Sequence, residues 1–128
     1  MKKLISIILP IFIVLSYGAK KQIENYPNGN KKSEGIMKGL FCKYKSGEWI
    51  YYYPNGYIKE KGYYKGVFEL RYGKWSFYYE NGQKWKEVGY KRDKDIGILQ
   101  EWYQNGQIKE ESYIMNNGTK DNKWTSYY

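Results

Sequence analysis

One short segment recurs along the chain, and its recurrence constrains the fold more than any other feature of the sequence. The segment runs from Gly47 to Gly56, from Gly73 to Gly82 and from Gly97 to Gly106, and its first and last glycines are nine positions apart each time. A degenerate copy ends in Tyr26-Pro27-Asn28-Gly29, and a truncated copy at 123–128 stops where its turn would begin. The turn glycines are separated by 27, 26 and 24 residues. The chain is therefore a repeat protein whose units stack on their neighbours.

Each copy has the pattern of a β-hairpin. The residues before the turn are mostly aromatic, as in Trp49 to Tyr53, and aromatic side chains fit the pleated surface of a strand. Asn-Gly follows and predicts a type I′ turn, because both central residues of that turn need positive φ. A short return strand such as Ile58-Lys59-Glu60 comes next, and glycine-containing links (Lys65-Gly66, Asn117-Gly118) lead to the following unit. We see no helical periodicity after residue 19.

The predicted fold is all-β: an elongated, twisted, mostly antiparallel sheet of repeated β-hairpins in a single layer. The copies are expected near residues 20–46, 47–72, 73–96 and 97–121, with a truncated copy at 122–128. Alternation along a strand assigns two faces to the sheet. Trp49, Tyr51 and Tyr53 share one face with their equivalents in the later copies. The other face carries one aromatic residue per copy at a fixed place, namely Tyr52, Tyr78, Trp102 and Tyr127.

Residues 1–19 are predicted to be a signal peptide that precedes the repeat domain at 20–128. Met1-Lys2-Lys3 is a basic start, and the run from Leu4 to Leu15 is almost wholly apolar and is followed by small residues. The run is shorter than the roughly 20 apolar residues of a spanning helix, so an uncleaved anchor is the less favoured alternative. Cleavage near Ala19 would remove two lysines and lower the net charge of +9. The mature chain is expected to be periplasmic, secreted or at the cell surface.

The composition argues against an enzyme. The chain has no histidine and a single cysteine, Cys42, which removes the usual metal ligand, the usual general base and any internal disulfide. Glu60, Glu87 and Glu110 recur beside lysines, and a solvated Lys/Glu ladder explains that recurrence better than a catalytic pair, whose two acids must differ in pKa. A Ser-Lys arrangement stays formally open. We predict no catalytic residue, no metal site and no cofactor.

The unit Gly-x-Trp-x-x-Tyr-Tyr-x-Asn-Gly, followed by Lys-Glu and a tyrosine, resembles the bacterial variant of the MORN repeat. The resemblance covers roughly residues 20–128, and it departs from the pattern at Leu99 and Glu101 and at Gln22, which stands at the tryptophan position of the first copy. It implies a sheet-forming scaffold for protein or membrane contact that has no enzymatic activity. Some bacterial members are labelled antitoxins, and the predicted export signal argues against that role here.

Two rows of side chains are the predicted binding residues. The aromatic row is Tyr52, Tyr78, Trp102 and Tyr127, and the lysine row is Lys59, Lys86 and Lys109. The first hypothesis is an exported, non-catalytic scaffold that binds an unidentified protein partner. The alternative is a cell-envelope module that recognises a glycan, choline or an anionic lipid through the two rows, and choline-binding cell-wall repeats are the weaker resemblance. Nucleic acid is the least favoured partner, and an antitoxin-like cytoplasmic protein is the reading if the signal peptide is not used.

The positive charge by itself has two readings. A basic surface attracts phosphates, anionic lipid heads and acidic polymers. The lysines are spread through every part of the chain, however, and never form a dense block. A solubilising surface on an aromatic-rich sheet is therefore favoured over a dedicated anion site.

Overall fold

The computed structural model describes residues 18–41 and 43–126, with side chains described as far as Asp121. Nearly all of the predicted signal peptide (residues 1–17), Cys42 and Tyr127 lie outside the described residues. The described chain forms nine strands: β1 (Lys20–Asn25), β2 (Lys31–Lys38), β3 (Tyr44–Tyr52), β4 (Ile58–Lys65), β5 (Leu70–Tyr78), β6 (Lys84–Lys91), β7 (Lys94–Trp102), β8 (Ile108–Ile114) and β9 (Lys120–Ser126).

The nine strands form one open sheet in chain order, and every neighbouring pair is antiparallel. The prediction of an all-β sheet of consecutive hairpins is confirmed. Successive connections lie at opposite ends of the strands. We call the end with Gly29, Gly56, Gly82 and Gly106 the turn end. The opposite end, with connections at 39–43, 66–69, 92–93 and 115–119, is the link end. Across residues 18–41 and 43–126, no helix has the length and apolar character needed to cross a membrane.

The turns at the turn end are not of the predicted type. In the second copy the N–H of Gly56 donates to the carbonyl of Tyr53 at 2.9 Å, and the N–H of Tyr53 donates to the carbonyl of Tyr57 at 2.8 Å. Gly56 has a φ of 91°, whereas Asn55 is not among the residues with positive φ. This is a three-residue loop, a type I turn followed by a glycine bulge. The type I′ prediction was wrong, and the same loop forms in the third and fourth hairpins, where Glu80 and Gln104 stand in place of Pro54.

Each return strand contains one extra residue. Tyr51 lies opposite Glu60 while Tyr52 lies opposite Ile58, so Lys59 has no partner on β3. The same shift occurs in the other three hairpins. A bulge of this kind displaces the side chains that follow it by one position. The unpaired residues of the four hairpins are Lys32, Lys59, Trp85 and Lys109.

Hydrogen bonds between successive turns hold the hairpins in register at the turn end. The Tyr53 hydroxyl donates to the carbonyl of Tyr78 at 2.8 Å, and Asn55 Nδ2 donates to the carbonyl of Glu80 at 2.9 Å. Equivalent bonds run from the first turn to the second and from the third to the fourth. Because each copy donates to the next, the turns form a continuous ladder.

The core lies on the face of the sheet that carries the tryptophans, which we call the tryptophan face. Trp75 is fully buried because its ring covers Gly62 on the neighbouring hairpin, where an added Cβ would overlap the indole. The indole N–H donates to the carbonyl of Tyr63 at 3.2 Å. Trp49 covers Gly35 in the same way. A single-layer sheet can bury a tryptophan here because a glycine beneath it leaves room for the ring.

The fourth hairpin fills the same space differently. Leu99 stands at the tryptophan position and lies directly opposite Val88, which stands where the earlier copies have glycine. Both side chains are buried, and together with Ile114 they form a small aliphatic cluster. The departure of Leu99 from the repeat pattern is therefore matched by a second departure on the adjacent strand.

Candidate functional site

The two rows of predicted binding residues lie on opposite faces of the sheet. Tyr52 lies opposite Ile58, and its hydroxyl donates to Glu34 at 2.5 Å on the face away from the tryptophans, which we call the back face. Lys59 lies on the tryptophan face, where its Nζ is 5.8 Å from the centre of the Tyr53 ring. The predicted surface that combined an aromatic row with a lysine row was therefore wrong. Whether either row binds a ligand by itself stays a prediction.

The lysine row is also broken in the third copy. Lys59 and Lys109 both occupy the bulge, but the equivalent residue of the third copy is Trp85. Lys86 follows one position later, opposite Phe77, and its Nζ is 3.9 Å from Asp95. The misassignment arose because Lys-Glu was aligned by residue type, whereas the extra residue in the return strand sets the true register.

Two aromatic cages on the tryptophan face already contain cations of the chain itself. Lys45 Nζ lies 5.1 Å from the Trp49 ring and 5.2 Å from the Tyr64 ring. Arg71 Cζ lies 4.3 Å from the Trp75 ring and 5.4 Å from the Tyr90 ring. Cation–π contacts of this kind stabilise the sheet. The chain's own Lys45 and Arg71 occupy these two cages, and whether the aromatic row on the other face binds choline stays a prediction.

On the back face, carboxylates neutralise most of the lysines. Glu34 is within 3.1 Å of both Lys21 and Lys31, and Glu87 is within 2.8 Å of both Lys74 and Lys84. Hydrogen bonds from Tyr52 and Lys21 lower the pKa of Glu34 to about 2. Partial burial acts to raise the pKa of Glu87, but Lys74 and Lys84 outweigh burial and lower it to about 2.

The same hydrogen bonds account for the state of Tyr52. Burial, together with the hydrogen bond to Glu34, raises the pKa of Tyr52 to about 12. The predicted binding residue Tyr52 is therefore a neutral donor to a permanent carboxylate. Its hydroxyl is committed to the sheet rather than free for a ligand.

The link end has a different surface. Leu40 and Phe41 lie in the first link, and Val67 and Phe68 lie in the second. All four side chains are exposed, Phe41 at 81% and Phe68 at 82% of their full accessible area. An exposed apolar group at adjacent loop tips is typical of a contact surface.

The link end also carries cations that no carboxylate neutralises. Six of them, within the described residues, have no carboxylate oxygen within 4.0 Å: Lys38, Lys43, Lys65, Lys91, Arg92 and Lys94. The acids of the links are used otherwise. Glu69 accepts the backbone N–H of Lys45 at 2.7 Å, and Asp93 accepts that of Arg71 at 2.6 Å. The link acids thus connect neighbouring links and leave the cations unpaired.

An open cleft of about 810 Å³ lies between the second and third links. Four of its lining side chains are cationic: Lys65, Lys91, Arg92 and Lys94. Its apolar lining consists of Phe68, Leu70, Tyr72 and Ile96. Asp95 also borders the cleft. The cleft therefore combines an apolar floor with an excess of positive charge.

A sequence model of the MORN repeat variant matches residues 45–65, 71–92 and 96–116. The matched segments together make up half of the chain. The chain belongs to the MORN repeat variant family. Repeats of this family are generally associated with protein or membrane-lipid binding. No curated protein and no solved structure matched the chain.

Sequence reasoning did not find the link end of this MORN repeat protein. A signal was present, because Leu40-Phe41 and Val67-Phe68 are apolar pairs that follow a glycine in otherwise polar links. The third and fourth links have no such apolar pair, so the pairs are not part of the repeat pattern that forms the core. This difference between the copies predicts that the pairs are exposed. The cluster of unpaired cations had no such signal, because lysines occur throughout the sequence.

Proposed function

We propose that this MORN repeat protein is a non-catalytic scaffold that contacts an anionic membrane surface through its link end. One observation carries the proposal: four exposed apolar side chains and six unpaired cations share one end of the sheet, while four lysines of the back face are paired with Glu34 or Glu87. Apolar tips that enter the boundary of a bilayer, with cations at the level of anionic headgroups, are the two components of peripheral membrane binding.

The proposal is tested by sedimentation of the protein with vesicles. Binding is expected to vesicles that contain phosphatidylserine and not to vesicles of phosphatidylcholine alone, and to weaken as salt is raised. Phe41→Ser with Phe68→Ser is expected to reduce the affinity by about a hundredfold, because each phenylalanine buried in the bilayer contributes roughly 1.5–3 kcal/mol. The melting temperature should not change, since both rings are exposed.

The matched control removes two other exposed apolar side chains, which lie away from the link end. Ile98 and Tyr113 are paired on the back face and are 61% and 52% exposed. Ile98→Ser with Tyr113→Ser should leave vesicle binding unchanged. Equal loss in both double variants, or no binding to anionic vesicles at all, would refute the proposal.

A protein partner is the second candidate, and a separate surface favours it. Ile98, Ile108 and Tyr113 are exposed on the back face of the fourth hairpin, beside the half-buried Trp102. A patch of large apolar and aromatic side chains is the usual centre of a protein interface. Capture of a protein by the wild type and by F41S/F68S, but not by I98S/Y113S, would support this candidate.

The site of action is also a proposal. A basic start, an apolar run and small residues near Ala19 support export of the chain. Fractionation of expressing cells, with the mass of the product measured in each compartment, tests it. Mature protein cut near Ala19 outside the cytoplasm is the expected result. Full-length soluble protein in the cytoplasm would contradict export and favour the antitoxin-like alternative.

A further inference from the structure

The third link is built unlike every other connection of the sheet. It is a two-residue type I′ turn in which Arg92 has a φ of 53° and Asp93 a φ of 62°. Asn-Gly is the pair that this turn favours, and the chain has Asn-Gly at five other places. A non-glycine residue at positive φ is strained, and such strain concentrates at functional sites. Phe41 and Glu69 in the first two links also have positive φ, so the third link is distinguished by two such residues in succession.

The charges around this turn repel one another. Lys91 and Lys94 lie directly opposite each other across the turn, and like charges at paired positions destabilise a sheet. Arg92 lies between them. The Asp93 carboxylate accepts the N–H of Arg71 and lies more than 4.0 Å from the side-chain nitrogens of all three cations. An anion held among the three side chains would turn this repulsion into attraction.

The second link completes the cleft from the other side. Lys65 Nζ lies 4.8 Å from the centre of the Tyr72 ring, which places a fourth cation over the apolar floor. The one acid at the rim, Asp95, lies 3.9 Å from Lys86 Nζ. Four cations face one paired carboxylate in the cleft, so its surplus charge exceeds one. A singly charged ligand would leave part of that charge unsatisfied.

We propose that this cleft binds a phosphate monoester group whose carrier is apolar. A phosphate monoester carries up to two negative charges and three acceptor oxygens, and the guanidinium of Arg92 is suited to bind two of them. Phe68, Leu70 and Tyr72 would contact the apolar carrier. The same chemistry occurs in a lipid headgroup and in a soluble phosphate ester. A lipid as the source of this phosphate depends on the proposed membrane function. The cleft would be the part of the link end that binds the headgroup.

Vesicles that contain phosphatidic acid, a phosphate monoester, are compared with vesicles that contain phosphatidylserine, a diester, at equal total surface charge. The full chain is expected to bind phosphatidic acid vesicles about tenfold more tightly, because the monoester offers the cleft a further acceptor oxygen and up to one more negative charge than the diester phosphate does. The variant Lys91→Gln, Arg92→Asn, Lys94→Gln is expected to lose this preference. Its residual binding to both vesicles should be the same.

The triple variant is designed to fold. Asn tolerates positive φ and is the favoured first residue of a type I′ turn, and the two glutamines remove the repulsion between Lys91 and Lys94. Its melting temperature should equal or exceed that of the wild type. The single variant Lys65→Gln tests the cleft from the other link if the triple variant unfolds. The control, Lys20→Gln with Lys59→Gln and Lys61→Gln, removes three charges elsewhere and should keep the preference.

The outcomes separate this proposal from the membrane function. Equal binding of the wild type to the two kinds of vesicle, or equal loss of preference in the control, would overturn the phosphate cleft and leave membrane contact intact. Loss of vesicle binding in the single variant Phe41→Ser concerns the membrane function alone, because Phe68 lines the cleft and Phe41 does not. Inorganic phosphate that abolishes the preference would support a soluble phosphate ester as the ligand, and a preference that survives inorganic phosphate would support the lipid headgroup.

Discussion

The third and fourth hairpins share the same turn and the same return-strand bulge but solve the same packing problem with different side chains. In the third, Trp75 covers Gly62 and Arg71 lies over the rings. In the fourth, Leu99 packs against Val88, and Asp95 stands at the position of Arg71. The comparison teaches that the conserved unit of this sheet is the pair of residues opposite each other on adjacent strands. A single residue of the repeat can change when its partner changes with it.

The largest expected effect comes from replacing Gly62, which lies beneath Trp75, with valine, the residue that lies opposite Leu99 on the adjacent strand. Gly62→Val forces a branched side chain into the Trp75 indole, and we expect a loss of about 3 kcal/mol in the free energy of unfolding, as for a severely overpacked core. Adding Trp75→Leu reproduces the Leu99–Val88 pair and should recover at least half of the loss. Urea unfolding of both variants and of Trp75→Leu measures the coupling. Additive effects would contradict the pair as the unit.

The reverse exchange in the fourth hairpin should have a smaller effect. Leu99→Trp overpacks against Val88, and we expect a loss of about 2 kcal/mol, because the aliphatic cluster is smaller and nearer the end of the described sheet. Val88→Gly in the same chain makes room for the indole. If the double variant is no more stable than Leu99→Trp, the space beneath this position is set by the backbone rather than by Val88.

Arg71 and Asp95, which stand at equivalent positions of the two hairpins, give the next contrast. Arg71→Met removes the cation–π contacts and leaves Glu60, which is 3.4 Å from Arg71, without its partner. We expect a loss of about 1–2 kcal/mol. Asp95→Asn at the equivalent position should change stability by less than about 0.5 kcal/mol, as for most surface substitutions. Thermal unfolding at one pH compares the two variants. Equal losses of stability would show that the cation–π contacts of Arg71 do not stabilise the sheet.

The smallest effect concerns pH and the acids Glu87 and Glu111, which stand at equivalent positions of the two hairpins. The pKa of Glu87 is about 2 in the folded chain and near its ordinary value of 4.5 when unfolded. The Glu87 carboxylate therefore binds a proton less readily in the folded chain than in the unfolded chain. The stability that its ionised form contributes is present at neutral pH and is lost as pH falls from about 4.5 towards 2. With screening by solvent we expect about 1 kcal/mol.

Unfolding at a series of acidic pH values checks this contribution. Glu87→Gln should flatten the fall in stability over that window, because the titrating group is gone. Glu111→Gln serves as the matched control on the fourth hairpin, where no lysine lies within 4 Å of the carboxylate among the described residues. An unchanged pH profile in Glu87→Gln would contradict the role assigned to Lys74 and Lys84.

Part of the candidate site was accessible to sequence reasoning and part was not. The strands, the turn glycines and the two faces follow from local spacing, and they were predicted. The aromatic row at Tyr52, Tyr78 and Trp102 was placed correctly on one face. The lysine row was not, because a bulge adds one residue to each return strand and puts Trp85 where a lysine was expected. A bulge depends on how two strands pair and cannot be predicted from the sequence of either strand alone.

The amino-acid sequence by itself determined that this chain is a sheet of stacked hairpins, because glycine spacing and aromatic alternation act over a few residues and repeat without interruption. The tertiary structure alone decided which lysines are neutralised and which are not. That outcome depends on register across strands: Lys74 and Lys84 meet Glu87, whereas Lys91 and Lys94 meet each other. The surface of the link end follows from that difference, since an exposed charge attracts a partner only where the fold has not already supplied one.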